Sequence, residues 1–135
     1  MEFVLDTKLA KDSILVADLA LSQLRLLNNA HYTWLLLVPR LAEVTELIDL
    51  NSDQQQQLLS EINLVSNLLK QHFQCDKLNI AILGNMVIQL HIHVIARRRD
   101  DIQWPKTVWG GPEQAYPKET LIQTVTQLQN LLRGK

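Results

Sequence analysis

Two histidines in the stretch QLHIHVIAR, residues 89–97, are the residues of this chain whose type and spacing best suit chemistry. Polar and aliphatic residues alternate there, which is typical of a half-buried strand with Gln89, His91 and His93 on one face. Imidazole acts as nucleophile, acid or base near neutral pH, and a strand would hold two of them in place. The pattern therefore predicts a site around His91 and His93.

The polar neighbours of the two histidines favour an anion as the ligand. Asn85 and Gln89 lie just upstream, and Arg97, Arg98 and Arg99 lie just downstream. Amide, imidazole and guanidinium groups would then gather around one strand, in a combination suited to a phosphate or carboxylate.

Two other interpretations of the histidine pair remain open from the residues alone. In the first, the pair lies on the solvated face of a sheet and has no chemical role. In the second, it supplies two ligands to a metal ion, because side chains two apart on a strand converge. Neither His31 nor His72 lies in a metal-ligand motif, so a third ligand would be a distant carboxylate such as Glu43 or Glu46.

Length and composition indicate an ordinary globular protein. The 135 residues fit one domain, residues 1–135, with 47% hydrophobic and 20% charged residues. A net charge of -1 argues against binding of bulk nucleic acid. The lone Cys75, the absence of a signal peptide and the lack of a long apolar run predict a cytoplasmic protein that does not enter a membrane.

Short apolar runs predict the strands around the histidines. Runs at 24–28 and 33–38 flank the turn residues at 28–30 and predict a hairpin. A third strand at 77–83 meets a Gly84-Asn85 turn signal and leads into the histidine strand, which predicts a second antiparallel pair. Two hairpins without βαβ patterning favour an α+β fold with an antiparallel sheet and the histidine strand near its centre.

Helical periodicity predicts two helices. Ser52 and Gln55 resemble a capping box, and apolar residues continue at helical spacing as far as Phe73. The stretch WPKTVWGGPEQAYP after Arg99 predicts an ordered loop, in which the tryptophans more often pack than bind a base. Pro117 would open a final amphipathic helix.

The histidine region resembles the signature of the histidine triad (HIT) family, H-φ-H-φ-H-φ-φ, where φ is hydrophobic. Residues 89–95 match six of its seven positions, within the longer similar segment LNIAILGNMVIQLHIHVIARRRDDIQWP. The segment HYTWLLLVPR, residues 31–40, is similar to the family strand that ends in Val-Pro-Lys/Arg. The resemblance implies a HIT-like sheet of about five antiparallel strands, packed with one long helix and a C-terminal helix.

The resemblance also implies an activity. Members of the family bind nucleotides or nucleotide conjugates, and many are hydrolases or transferases that act at the α-phosphate. Their middle histidine, here His91, is the nucleophile and forms a phosphoramidate intermediate. The third, His93, would contact the phosphate and the departing oxygen. Gln89 stands at the first position, where an amide can bind substrate but cannot exchange a proton near neutral pH.

Three further residues match family positions that contact substrate. Asn85 lies where relatives carry a Gln that binds a phosphate oxygen, and Asn28 lies near the position that holds the ribose hydroxyls. Arg97 matches the Arg or Lys that follows the motif. Each also has a purely structural interpretation, as a turn residue or a solvated strand end. In the family, homodimers are common, and the loop at Trp104 lies near the active site.

The leading functional hypothesis is a nucleotide-conjugate hydrolase or nucleotidyl transferase, acting on dinucleoside polyphosphates or nucleoside phosphoramidates without a cofactor. A second hypothesis is a nucleotide-binding or signalling module that catalyses little because of Gln89. A third is a metal-dependent hydrolase that uses His91 and His93 as ligands.

Overall fold

The computed structural model describes all residues, 1–135, as an α+β fold with one antiparallel sheet, which confirms the predicted class. None of its helices combines the length and apolar character that a membrane-spanning helix needs. The elements follow in the order α1 (Thr7–Asp12), β1 (Ser13–Asp18), β2 (Ser22–Leu27), β3 (Thr33–Pro39), a 3₁₀ turn (Leu47–Asp49), α2 (Ser52–His72), β4 (Lys77–Ala81), β5 (Ile92–Arg97) and α3 (Lys118–Arg133).

The histidine strand β5 lies inside the sheet. The strand order is β1-β2-β3-β5-β4, so β5 is hydrogen-bonded on both sides, to β3 and to β4. His93 lies opposite Leu36 of β3 and Ala81 of β4. A strand paired on both edges cannot shift its register without breaking two ladders, which makes it a rigid support for side chains.

Alternation along the strands separates two apolar clusters, one on each face of the sheet. On the first face Leu35, Ile92 and Val94 pack with Leu58 and Val65 of α2. Each fully buried aliphatic side chain of this kind contributes roughly 1.5–3 kcal/mol to folding. The second face carries a smaller cluster, which α1 and the N-terminal residues cover: Leu9, Tyr32, Trp34, Leu36, Val38, Val87, Ile95 and Val108, with Phe3, Leu5, Leu27 and Trp109 at its margin.

Helix α2 is capped one residue earlier than the sequence predicts. Asn51 is the N-cap: its side chain accepts a hydrogen bond from Gln54 N at 2.9 Å, and Gln54 Oε1 accepts one from Asn51 N at 2.9 Å. The predicted box of Ser52 and Gln55 is therefore wrong. Asn caps a helix as well as Ser does, and the run of glutamines offers a suitable third residue in either register.

The residue pattern predicts neither the first helix nor the position of the first strand, although the family resemblance implies about five strands. Helix α1 is only six residues long and begins where the Asp6 side chain accepts a hydrogen bond from Lys8 N at 2.8 Å. Strand β1 has an irregular register between Leu15 and Ala17. A bulge of this kind interrupts strict alternation, and so it removes the periodic signal on which strand prediction depends.

The approach to β5 also differs from the prediction. The strand begins at Ile92, so Gln89 and His91 precede the first paired residue. Strand β4 ends at Ala81, and ten residues, 82–91, join it to β5 instead of a tight Gly84-Asn85 turn. Alternation nevertheless continues through this segment, because Leu90 is buried in the α2-facing cluster while His91 is not part of it.

A buried ion pair organises the loop that follows β5. Arg97 Nε lies 2.8 Å from Asp101 Oδ2, Arg97 Nη2 lies 3.0 Å from Oδ1, and both side chains are at most 2% exposed. Arg97 also donates to Asn79 Oδ1 and to the Lys106 carbonyl. Asp101 in turn accepts from the main-chain N–H of Trp104. The loop is thus ordered by one doubly hydrogen-bonded pair.

Burial alone would raise the pKa of Asp101. Hydrogen bonds from the Arg97 side chain and from the main-chain N–H groups of Gln103 and Arg98 lower this pKa by more than burial raises it. The pKa falls from 3.8 to about 2. A lowered pKa means that the folded state prefers the carboxylate more than the unfolded chain does. This contribution to stability is complete above about pH 4 and is lost as the pH falls towards 2.

We expect Asp101→Asn to lower the free energy of unfolding by about 3–5 kcal/mol, because Arg97 would remain buried without a counter-charge. Denaturant unfolding at neutral pH measures the change. Asp100→Asn is the matched control, since the Asp100 side chain is 79% exposed and its pairing with Arg98 is solvated. Equal unfolding midpoints for the two variants would contradict this role of Asp101.

Candidate active site

The two histidine rings lie together on the face of the sheet opposite α2. The centroids of His91 and His93 are 4.9 Å apart, and their planes meet at 68°. Each residue is 7% exposed, so the rings lie largely out of water. The structure therefore brings the two predicted residues into one site.

The main chain fixes the proton of His91. Its Nδ1 lies 2.7 Å from the carbonyl oxygen of Gln89. A carbonyl only accepts hydrogen bonds, so Nδ1 must carry the hydrogen. In the neutral ring the lone pair is then on Nε2, which is the atom available to attack an electrophile.

Trp34 fixes the proton of His93 in the opposite sense. The indole Nε1–H donates to His93 Nδ1 at 3.0 Å. An indole N–H only donates, so Nδ1 must be unprotonated and the ring hydrogen lies on Nε2. The site therefore combines a lone pair on His91 Nε2 with an N–H donor on His93 Nε2.

Burial is the main cause that lowers the pKa of His93 from 6.5 to about 4, and electrostatic interaction with the adjacent His91 is the second. His93 is consequently neutral at neutral pH, and its Nε2–H is available as a donor on an uncharged ring. As the pH falls, the His93 ring takes up a proton in the unfolded chain before it does so in the folded protein. The contribution of neutral His93 to the free energy of unfolding is therefore fully present above about pH 6.5 and is lost as the pH drops towards 4.

Aromatic rings hold His93 in its orientation. Trp109 meets His93 edge-on at 5.1 Å between centroids, and it meets Trp34 edge-on at 5.7 Å. Tyr32 packs against the other side of Trp34 at 6.0 Å. The sequence analysis assigned the tryptophans to packing, and this packing is present. It missed the polar role of Trp34, which pairs with Ile95 in the ladder and reaches His93 diagonally.

Gln89, the third member of the predicted polar face, uses its side chain elsewhere. Its Nε2 donates to the Val4 carbonyl at 2.9 Å, and its Oε1 accepts from Asp6 N at 2.9 Å. The side chain thus binds the N-terminal segment, whereas the main-chain carbonyl of the same residue binds His91.

Two of the three arginines, Arg97 and Arg98, are bound to other groups of the protein. The Arg97 guanidinium is 1% exposed and bound to Asp101, Asn79 and the loop main chain. Arg98 donates to Gln74 beyond the end of α2. Arg97 and Arg98 therefore do not join the predicted anion cluster, because the loop and the segment after α2 take up their donors, and the geometry does not support Arg97 as a substrate ligand.

Asn28 and Asn85 occupy different surroundings. The Asn28 Oδ1 accepts from Tyr116 N at 2.8 Å, which attaches the segment before α3 to the hairpin. Asn28 also borders a cavity of about 260 Å³ that reaches Trp34, the partner of His93. Asn85 is exposed in the segment between β4 and β5.

No three His, Cys, Asp or Glu side chains come together in a geometry that could hold a metal ion. Glu43 and Glu46, which the metal hypothesis needed as a third ligand, therefore do not complete a site with His91 and His93.

We expect Trp34→Phe to raise the pKa of His93 by about one unit, because the lone pair on Nδ1 would lose its fixed donor. A titration of the His93 ring resonances by NMR measures the shift. Trp109→Phe is the control, since Trp109 contacts the same ring edge-on. If both variants gave the same His93 midpoint, the hydrogen bond would have no such effect.

Comparison with known proteins agrees with this geometry. A family model for the HIT domain matches residues 8–100. A search of curated proteins gave no match. Three crystal structures of histidine triad proteins are similar to the chain over nearly its whole length. One, from Bradyrhizobium japonicum, is 44% identical with a TM-score of 0.93, and the match covers 96% of this chain and 98% of that one.

The second structure, from Sinorhizobium meliloti 1021, is 41% identical with a TM-score of 0.91 and covers 95% and 96% of the two chains. The third, from Marinobacter aquaeolei VT8, is 38% identical with a TM-score of 0.95 and covers 99% and 98%. Family model and structures agree with the resemblance that the histidine motif suggested, and the chain belongs to the histidine triad (HIT) family.

Proposed function

We propose that this chain is a nucleotide-conjugate hydrolase or nucleotidyl transferase with His91 as its nucleophile. HIT proteins are generally nucleotide hydrolases or transferases, and the chain belongs to that family. The observation that carries the proposal is the 2.7 Å contact between His91 Nδ1 and the Gln89 carbonyl. It holds a hydrogen on Nδ1 of this buried ring, so the lone pair of the uncharged form lies on Nε2, which is the form a nucleophile requires.

In the proposed reaction, His91 Nε2 attacks the α-phosphorus of a dinucleoside polyphosphate or a nucleoside phosphoramidate. An N–P bond forms while the bond from phosphorus to the leaving group breaks, and the leaving group departs with the electron pair and takes up a proton from solvent. The positive charge on the His91 ring is stabilised by its Nδ1–H bond to Gln89. Water, or another acceptor in a transferase, then attacks phosphorus and releases a proton to solvent, while the N–P bond breaks and the nitrogen recovers its electron pair.

His93 would stabilise the charge that develops on the phosphoryl group. Its Nε2–H is fixed by the Trp34 bond on the other side of the ring. A donor that is already oriented costs no reorganisation when the oxygen becomes more negative. We assign His93 Nε2–H to a phosphoryl or leaving-group oxygen.

The remaining substrate contacts are assigned to two asparagines. Asn28 borders the cavity that reaches Trp34, and its Nδ2–H could meet a ribose hydroxyl while Oδ1 stays bound to Tyr116 N. Asn85 is exposed on the segment leading to His91, where its amide could meet a phosphate oxygen.

The binding-module hypothesis rests on Gln89 in place of a histidine, and one observation weighs against it. The group of residue 89 that fixes the His91 ring is its main-chain carbonyl. Any residue at this position carries that carbonyl, so the exchange of His for Gln does not remove the acceptor for His91 Nδ1–H.

We expect His91→Ala to lower turnover by on the order of 10⁴-fold, because no other group would supply the covalent step. A panel of nucleoside phosphoramidates, adenylates and dinucleoside polyphosphates provides the substrates, and trapping of an acid-labile nucleotidyl adduct shows the intermediate. His72→Ala is the control, since His72 is exposed at the end of α2. Turnover that survives His91→Ala would contradict the proposal.

We also propose a homodimer, and the outer edge of the sheet supports it. Strand β4 is paired on one side only; Ile80 in this strand is 49% exposed, and Ile82 and Leu83 just after it are 37% and 47% exposed. An exposed apolar edge strand is a favourable surface for pairing with a second copy.

We expect Ile80→Lys to shift the mass in solution from dimer to monomer, because it would place a charge in the apolar edge. Light scattering after size-exclusion chromatography measures the mass. Ile122→Lys, at a residue of α3 that is 55% exposed, is the control. A dimer that persists in Ile80→Lys would count against this edge as the interface.

A further inference from the structure

Both polar atoms of the Gln89 side chain are hydrogen-bonded, although the residue lies outside the hydrogen-bonded ladder of the sheet. Strand β5 begins at Ile92, so no strand partner fixes residue 89. The nearest main-chain anchor is the bond from Leu90 N to the Val44 carbonyl at 3.0 Å. What holds residue 89 itself is its side chain, through the two bonds to Val4 and Asp6.

The amide group suits this double bond better than an imidazole would. Its oxygen and nitrogen lie side by side and point the same way, so they can meet a carbonyl at one residue and an N–H two residues later. The two ring nitrogens of a histidine diverge, and they cannot both face one extended segment. The residue that departs from the family motif therefore makes a contact that the motif's own residue could not make.

The segment that Gln89 holds, residues 3–6, packs against the histidine site. Phe3 and Leu5 lie at the margin of the apolar cluster that includes Trp34 and Val87. Trp34 is the donor to His93. The side chain of Gln89 thus binds the N-terminal segment, while its main-chain carbonyl accepts the hydrogen bond from His91 Nδ1.

We propose that Gln89 is a positioning residue, whose side-chain bonds to Val4 and Asp6 fix its own carbonyl against His91 Nδ1. In this role Gln89 transfers no proton and binds no substrate. It keeps the His91 lone pair on Nε2 by holding the one acceptor that determines the tautomer. The consequence for turnover rests on the proposed function, whereas the consequence for the tautomer does not.

Gln89→Met is the first test, because it keeps the length of the side chain and removes both hydrogen bonds. We expect the Asp6 amide to exchange with solvent about tenfold faster. We also expect the two ¹⁵N ring shifts of His91 to move towards each other as the tautomers mix, and kcat to fall more than KM rises. Gln56→Met, at an exposed position of α2, is the control and should change none of these.

Asp6 provides a second pair of variants in case Gln89→Met does not fold. Both Asp6→Ala and Asp6→Pro remove the side-chain cap of α1, but only proline also removes the N–H that Gln89 accepts. Asp6 has φ −54 and ψ 138, which proline adopts without strain. The proline variant should shift the His91 ring resonances, and the alanine variant should not.

Unchanged His91 ring shifts in Gln89→Met and Asp6→Pro would overturn the proposal, whatever the activity. If those shifts move as expected but no substrate is turned over by the unmodified chain, the positioning role stands and the proposed function fails. If turnover falls with His91→Ala but is unaffected by Gln89→Met, the proposed function stands and the positioning role fails.

Discussion

The hydrogen bond from His91 Nδ1 to the Gln89 carbonyl determines what this site can do. Without it, the hydrogen of a neutral imidazole would be shared between two nitrogens, and the lone pair would point to the substrate only part of the time. A second hydrogen bond, from Trp34 Nε1–H to His93 Nδ1, gives the neighbouring ring the opposite tautomer, with its hydrogen on Nε2. Two chemically identical side chains thus present a lone pair in one case and an N–H donor in the other, and their surroundings alone make the difference.

The sheet supplies the stiffness that these bonds need. His93 belongs to a strand paired on both edges, so its backbone is fixed by two ladders. His91 lies just before the ladder and relies on contacts of its neighbours, among them the bonds of the Gln89 side chain. Beyond the strand, the pair between Arg97 and Asp101 holds the loop that carries the tryptophans.

The features that follow from local pattern could be predicted from the sequence. Alternation placed His91 and His93 on one face, and helical periodicity located α2 to within a residue at each end. Contacts between distant residues could not be predicted. Gln89 binds a residue 83 positions away, and Trp34 binds His93 across 59 positions. The predicted role of Arg97 and Arg98 in an anion site failed for the same reason. Their hydrogen-bond partners cannot be identified from the sequence, in which neighbouring positive charges look like an anion site.

The tautomers of the two histidines in the unmodified protein are the most direct test of this account. Long-range ¹H–¹⁵N correlation NMR at neutral pH distinguishes a protonated ring nitrogen from one that carries a lone pair. The account predicts that His91 is protonated at Nδ1 and that His93 is neutral and protonated at Nε2. A His91 ring protonated at Nε2 alone, or a cationic His93, would contradict it.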